Sequence, residues 1–240
     1  MNGEAIQQIV KLAEKGFTVE RDGVIFSPTK MEPILYDLRP EPLNLNTLTG
    51  LVDYIKANID DVELSKCLLH VESHDSVKLI SRFYGESQRR DCLIKVQLDN
   101  IECFPFDRFI DYETFNIQLR SKFEMTSDLG KIIQVSGKID VENSIKLADD
   151  GISQQVAVKK GLSGAIKEEK MVPSMVSLKP YRTFSEVEQP ESDFLFRLKQ
   201  TDSGVLCALF EADGGKWRSQ ARKSIKRFLK IQLPHMSIIS

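Results

Sequence analysis

The stretch Leu178–Trp217, LKPYRTFSEVEQPESDFLFRLKQTDSGVLCALFEADGGKW, carries the densest positional signals in the chain. DFLFRLK and VLCALFEA have the apolar, β-rich character of strands, and Thr201-Asp202-Ser203-Gly204 between them is a tight turn. Asp213-Gly214-Gly215 then introduces a helix over Lys216–Lys230, with Asp213 or Gly214 near its cap. At about 100° per residue, Trp217, Ala221, Ile225, Phe228 and Leu229 share one face of that helix. A strand hairpin running into a helix, with no strand–helix–strand alternation, points to an α+β fold rather than a doubly wound one.

Toward the N-terminus the strand-like pattern recurs. MVSLKPY (175–181), ISQQVAVKKG (152–161), NSIKLADD (143–150) and KIIQVSGKID (131–140) read as strands of a sheet with one buried face, and Ser163–Lys170 as a loop. CLLHVES (67–73), VKLISRFY (77–84) and CLIKVQL (92–98), joined by two short turns, predict an antiparallel meander. FTVERDGVIFSP (17–28) is a hairpin signal, followed by a connection made irregular by Pro33, Pro40 and Pro42. Helices are expected at Glu4–Lys15, stopped by Gly16, and at Leu48–Asn58, capped by Asn46 or Thr47, with a third at Asp111–Lys122. The expectation is therefore a predominantly antiparallel α+β protein with about four helices, the last one basic. Residues 1–103 form a helix–hairpin–helix–meander part and residues 104–240 a second sheet with the closing helix, as two subdomains or one continuous domain.

The 240 residues carry a net charge of −2, which supplies no general attraction to nucleic acid or anionic membrane. No apolar run approaches the roughly 18 residues of a membrane span, and the N-terminus does not have the pattern of a signal peptide. The four cysteines are widely spaced without a CxxC pair, and three of them (Cys67, Cys92, Cys207) sit in apolar runs, as expected of buried thiols in a reducing cytoplasm. His70, His74 and His235 complete no metal set with them, and Walker, GxGxxG, HExxH and GxSxG motifs are absent. No catalytic residue, metal or cofactor is expected.

Charge is nevertheless concentrated locally. Glu186, Glu188, Glu191 and Asp193, with Glu211 and Asp213 beyond, could gather around Mg²⁺ or Mn²⁺, although loops between strands are also acidic for solubility. Arg182 follows the stiff Pro180-Tyr181 step and Arg197 interrupts an apolar strand; each could grip phosphate or carboxylate, or form an internal ion pair with those glutamates. On the closing helix Arg218, Arg222, Lys226 and Lys230 follow one another at i,i+4 with no acidic residue to offset them. Asp213-Gly214-Gly215 offers backbone N–H groups at the positive helix end, which could hold an anion or form a plain turn.

Four blocks, PEPLNLNTLTGLVDYI (40–55), LLHVES (68–73), FPFDRFIDYETFNIQL (104–119) and LKPYRTFSEVEQPESDFLFRL…CALFEADGGKW (178–217), together resemble an uncharacterised early-region protein of temperate phages and prophages of Gram-positive bacteria. The resemblance covers nearly the whole chain. It implies a phage-borne protein working in the host cytoplasm and brings no catalytic residue with it. The resulting expectation is a non-enzymatic, counter-defence binding protein. It would either sequester an anionic, nucleotide-like signal through Arg182, Arg197, Arg218, Arg222 and Lys226 or block a host defence protein, alone or as a homo-oligomer. The alternative is an accessory factor of phage DNA replication or recombination that binds nucleic acid through the basic helix. A metal-dependent nuclease would need the 186–193 carboxylates to converge.

Overall fold

The structure, a computed structural model, describes residues 3–14, 19–21, 24–26, 41–85, 88–99, 102–136, 145–149, 153–159, 166–202 and 204–240. The backbone divides into two compact units, Met1–Pro40 and Glu41–Ser240. In the first, helix α1 (Gly3–Glu14) is followed by strands β1 (Val19–Arg21) and β2 (Val24–Phe26), which pair antiparallel with Glu20 opposite Ile25. Gly16, Pro33 and the Asp22-Gly23 turn lie outside the described residues.

The second unit opens with β3 (Leu43–Leu45), α2 (Leu48–Ala57) and the strands β4 (Cys67–Val71), β5 (Ser76–Ser81) and β6 (Cys92–Gln97). A short β7 (Ile110–Asp111) leads into α3 (Tyr112–Lys122) and α4 (Ser127–Ser136). Then come β8 (Ile145–Asp149), β9 (Ser153–Lys159), β10 (Ile166–Pro173), β11 (Met175–Leu178), β12 (Ser192–Thr201) and β13 (Gly204–Glu211). The chain closes with α5 (Lys216–Gln232) and β14 (Ser237–Ile239).

The predicted meander β4–β5–β6 is antiparallel, and it is flanked by two parallel edge strands, giving the order β14-β4-β5-β6-β3. A second sheet runs β11-β12-β13-β7, antiparallel throughout, and β10-β9-β8 form a third. The protein is thus α+β with mostly antiparallel pairing. Five α-helices are described, one more than anticipated. The additional one, α4, covers Lys131–Ser136, where β-branched Ile132, Ile133 and Val135 favour a strand reading. The Thr126 hydroxyl accepts from the Leu129 N–H (3.1 Å), and Leu129, Ile132 and Ser136 turn inward at helical spacing, so packing overrides local preference. The expected loop over 163–170 is also shorter than anticipated: from Ile166 onward the chain is strand β10, while 163–165 lie outside the described residues.

Two apolar cores organise this unit. One joins α3 and α4 to β11–β13 through Phe104, Phe115, Leu119, Leu129, Phe194 and Phe196. The other joins α2 to β4–β6 through Leu48, Leu51, Ile55, Leu69, Leu79 and Ile94, and it takes Ile225, Leu229 and Ile238 from α5 and β14. The last elements of the chain therefore complete the first sheet, so 41–103 and 104–240 share a core. Phe184 and Val187, from the connection between β11 and β12, are buried in that same core. Since β11 and β12 belong to the second sheet, this connection bridges the two.

A cavity walled by a buried arginine

The bridging connection is irregular, yet its backbone is tied down at both ends. Pro180 pairs with Phe123, and the Tyr181 N–H donates to the Lys122 carbonyl at 2.9 Å. The buried amide of Gln189 accepts from the N–H of Arg182 (2.9 Å) and Thr183 (3.2 Å) and donates to the carbonyls of Thr183 and Phe184. One side chain thus satisfies a loop that would otherwise bury unpaired polar groups.

This framework fixes Arg182, whose side chain is 4% exposed. Its Nη1 donates to Glu211 Oε1 (2.5 Å) and its Nη2 to Ser192 Oγ (2.7 Å). The Ser192 hydroxyl donates in turn to Asp213 Oδ2 at 2.9 Å. The guanidinium lies 4.2 Å from the centre of the Trp217 ring and 5.3 and 5.4 Å from those of Phe106 and Phe194. Burial lowers its pKa, against the opposing pull of Glu211 and Asp213. It stays charged, because an arginine does not give up its proton in a protein. The Arg182 Nε–H is buried without an acceptor.

His74, in the turn between β4 and β5, meets Trp217 edge-on at 4.8 Å, and its carbonyl accepts from the Thr183 hydroxyl at 2.5 Å. Burial depresses the imidazole pKa, Asp75 opposes, and the positive charges of Arg218, Arg182 and Arg222 depress it further. Three of the five cations singled out from the sequence therefore act on the charge of one imidazole, although only Arg182 of the three lines the cavity that His74 also borders. Arg218 also lies over Trp217, at 4.8 Å. Lys226, one turn beyond Arg222, is not among the charges acting on His74. Arg197 is elsewhere: it alternates with the buried Phe196 and Leu198, which puts it on the opposite face of β12, and its Nη1 donates to the Phe196 carbonyl (3.1 Å).

His74 and Asp75 line a cavity of about 390 Å³, together with Gln97, Leu98 and Asp99 from the end of β6. Asn46, Cys103 and Arg182 complete the wall. Asn46 Nδ2 donates to Asp99 Oδ1 (2.5 Å), and Gln97 Nε2 to the Asp75 carbonyl (3.1 Å). These residues lie just beyond strand or helix ends, where a meander returns them to one side of the sheet. Sequence reading missed them because short polar turn residues look alike until the strand register is known; the regular spacing of the three strands was the available clue.

The acidic connection does not converge. Glu186 accepts from the Thr49 N–H at the start of α2 (3.2 Å), Glu188 pairs with Lys179 (2.8 Å), and Asp193 accepts from the Ser177 hydroxyl (2.5 Å). Among the described residues no three His, Cys, Asp or Glu side chains are gathered as a metal ion would need. The Gly214-Gly215 helix start is taken by the protein's own carboxylate, since Asp213 accepts from the N–H groups of Gly215 (2.8 Å) and Trp217 (3.3 Å). Burial opposes the charge of Asp213, but those N–H groups, the Ser192 hydroxyl and Arg182 outweigh it and hold the carboxyl below its ordinary value. Among the described residues no helix is long and apolar enough to cross a membrane.

Comparison with protein-family models, curated proteins and solved structures returns no match to this chain. The functional reading therefore rests on the cavity and its charges.

Proposed function

We propose that this is a non-enzymatic binding protein that takes up a small anionic, nucleotide-like molecule and acts in the host of a temperate phage, where withholding such a signal would blunt a defence response. The observation that carries this reading is that Arg182 and Arg218, from two separate elements, both lie over Trp217, at 4.2 and 4.8 Å, where the ring meets the His74 imidazole that lines the cavity with Arg182. Arg182 is matched by Glu211, whereas Arg218 and Arg222 form no ion pair among the described residues. They keep their charge for an incoming anion. A volume of about 390 Å³ falls within the range typical of small-molecule sites.

Calorimetric titration of the full chain with linear and cyclic nucleotides tests the proposal. Saturable binding is expected, weakened at least about tenfold by Arg218→Ala with Arg222→Ala, in line with the loss of charge-assisted contacts. No binding to any of them, together with no protection of phage in cells that carry nucleotide-signalling defences, would overturn it. Blocking a defence protein directly would give protection without nucleotide binding.

A second reading draws on the outward side of α5, where Lys216, Arg218, Lys223, Arg227 and Lys230 are exposed. These cations could follow a single-stranded backbone during phage DNA replication or recombination. Salt-dependent binding to oligonucleotides that disappears in the Arg218→Ala, Arg222→Ala, Lys226→Ala variant would favour it. A flat response at low salt would remove it.

A further inference from the structure

We infer that the tip of the β5–β6 hairpin, residues 82–91, is a docking surface for single-stranded nucleic acid, with a base stacking on Phe83 and phosphates held by Arg82 and Arg90. The stretch reads RFYGESQRRD and sets three arginines, against Glu86 and Asp91, beside two aromatic rings. Phe83 is 55% exposed and Tyr84 37%, Arg82 and Arg90 are exposed, and neither ring belongs to either apolar core. Two adjacent rings left at a turn keep apolar surface in water and add little to the fold.

The backbone fixes how these groups are presented. Tyr84 and Arg89 face each other across the ribbon: the Tyr84 N–H donates to the Arg89 carbonyl (3.1 Å) and the Arg89 N–H to the Tyr84 carbonyl (3.2 Å). Side chains alternate along a strand, so Phe83 and Arg90 form the neighbouring pair on the opposite face. Each pair is a guanidinium over a ring. The Arg90 Cζ lies 4.0 Å from the centre of the Phe83 ring, and that of Arg89 5.3 Å from the centre of the Tyr84 ring. Arg90 Nη1 donates to the Ser81 carbonyl (2.8 Å), which uses one of its five N–H donors and holds the guanidinium in place. The Tyr84 hydroxyl donates to Asp91, so that carboxylate is engaged within the hairpin.

These are the groups a single strand uses. Nucleobases stack on aromatic faces whatever their sequence, and an arginine beside the ring supplies both a cation–π contribution and donors for the adjoining phosphate. A duplex keeps its bases stacked on one another and offers no free π-face to Phe83, so it meets only the charges. An acidic peptide likewise engages the arginines and leaves the ring bare. None of these residues lines the Arg182 cavity or belongs to α5, so the surface depends on neither.

The test is fluorescence anisotropy on the full chain with three labelled probes: an oligothymidine of about 20 nucleotides, a duplex of the same length and a poly-glutamate peptide. The single strand is expected to bind at least about tenfold more tightly than the duplex or the peptide. Phe83→Ala should weaken it about tenfold, the loss of one stacked base, whereas Phe83→Trp should keep the affinity. Arg82→Ala with Arg90→Ala should lower the slope of log affinity against log salt by about 1.4, as two phosphate contacts on a single strand require. Phe83, Arg82 and Arg90 lie outside both cores, so the variants should fold, as circular dichroism and urea unfolding will check. No binding of the single strand at low salt, equal binding of duplex or peptide, or binding unchanged by Phe83→Ala would overturn the inference. Binding that survives Phe83→Ala but is lost in the Arg218→Ala, Arg222→Ala, Lys226→Ala variant would overturn it in favour of α5.

Discussion

Arg182 shows how a buried charge is made tolerable: one carboxylate, one hydroxyl and three aromatic rings surround it. Arg182→Ala removes the ring contacts and leaves Glu211 and Ser192 short of a partner, so a loss of about 3 kcal/mol is expected in urea unfolding. Arg182→Met keeps much of the side-chain volume against Trp217 and should lose about half as much. Equal losses would mean that packing on Trp217 contributes little. His74 gives a pH signature. Its pKa in the fold lies below the ordinary value of 6.5, so the unfolded chain takes up the proton first. Stability should therefore fall as pH drops from 6.5 toward the folded pKa, with no such loss above. His74→Phe, which keeps a ring against Trp217, should flatten that part of a stability–pH curve measured by urea unfolding.

At the scale of elements, α2 and α5 show opposite ways of starting a helix. Helix α2 borrows two oxygens: Thr47 Oγ1 accepts from Gly50 N–H (3.1 Å) and Glu186, from a distant part of the chain, takes Thr49 N–H. Thr47→Ala should cost about 1 kcal/mol by thermal or urea unfolding. Helix α5 is served by Asp213, whose carboxyl is held below its ordinary value; its contribution is present above the unfolded aspartate pKa and is lost as pH falls through the folded one. Asp213→Asn should lower stability near neutrality and remove part of the acid-side decline. Both helices were legible in the sequence because their apolar faces repeat cleanly, with Leu48, Leu51, Val52 and Ile55 on one and Trp217, Ala221, Ile225 and Leu229 on the other, all buried. Helix α4 was not, because β-branched residues mask its period and only contact with β11 and α3 settles it. The site divides the same way. Its cations stood out as a stripe, whereas Asp75, Asp99 and Asn46 meet only through strand pairing.

At the scale of the molecule, the shared core makes residues 41–103 dependent on the later part of the chain, 104–240. Expressed apart, the first fragment lacks Ile225, Leu229 and Ile238, and the second leaves them uncovered. Residues 41–103 alone should show no cooperative unfolding transition, whereas 104–240 keeps the core of α3, α4 and β11–β13 and should retain one; a sharp transition from 41–103 by itself would contradict the interlock. The parallel pairing of β14 with β4 has a further consequence. During synthesis the central meander leaves the ribosome long before β14 and α5, so its oily side is covered only in part, by α2, until translation has passed them. The nascent protein should therefore depend on chaperones late, and a ribosome stalled before α5 should release an aggregation-prone product.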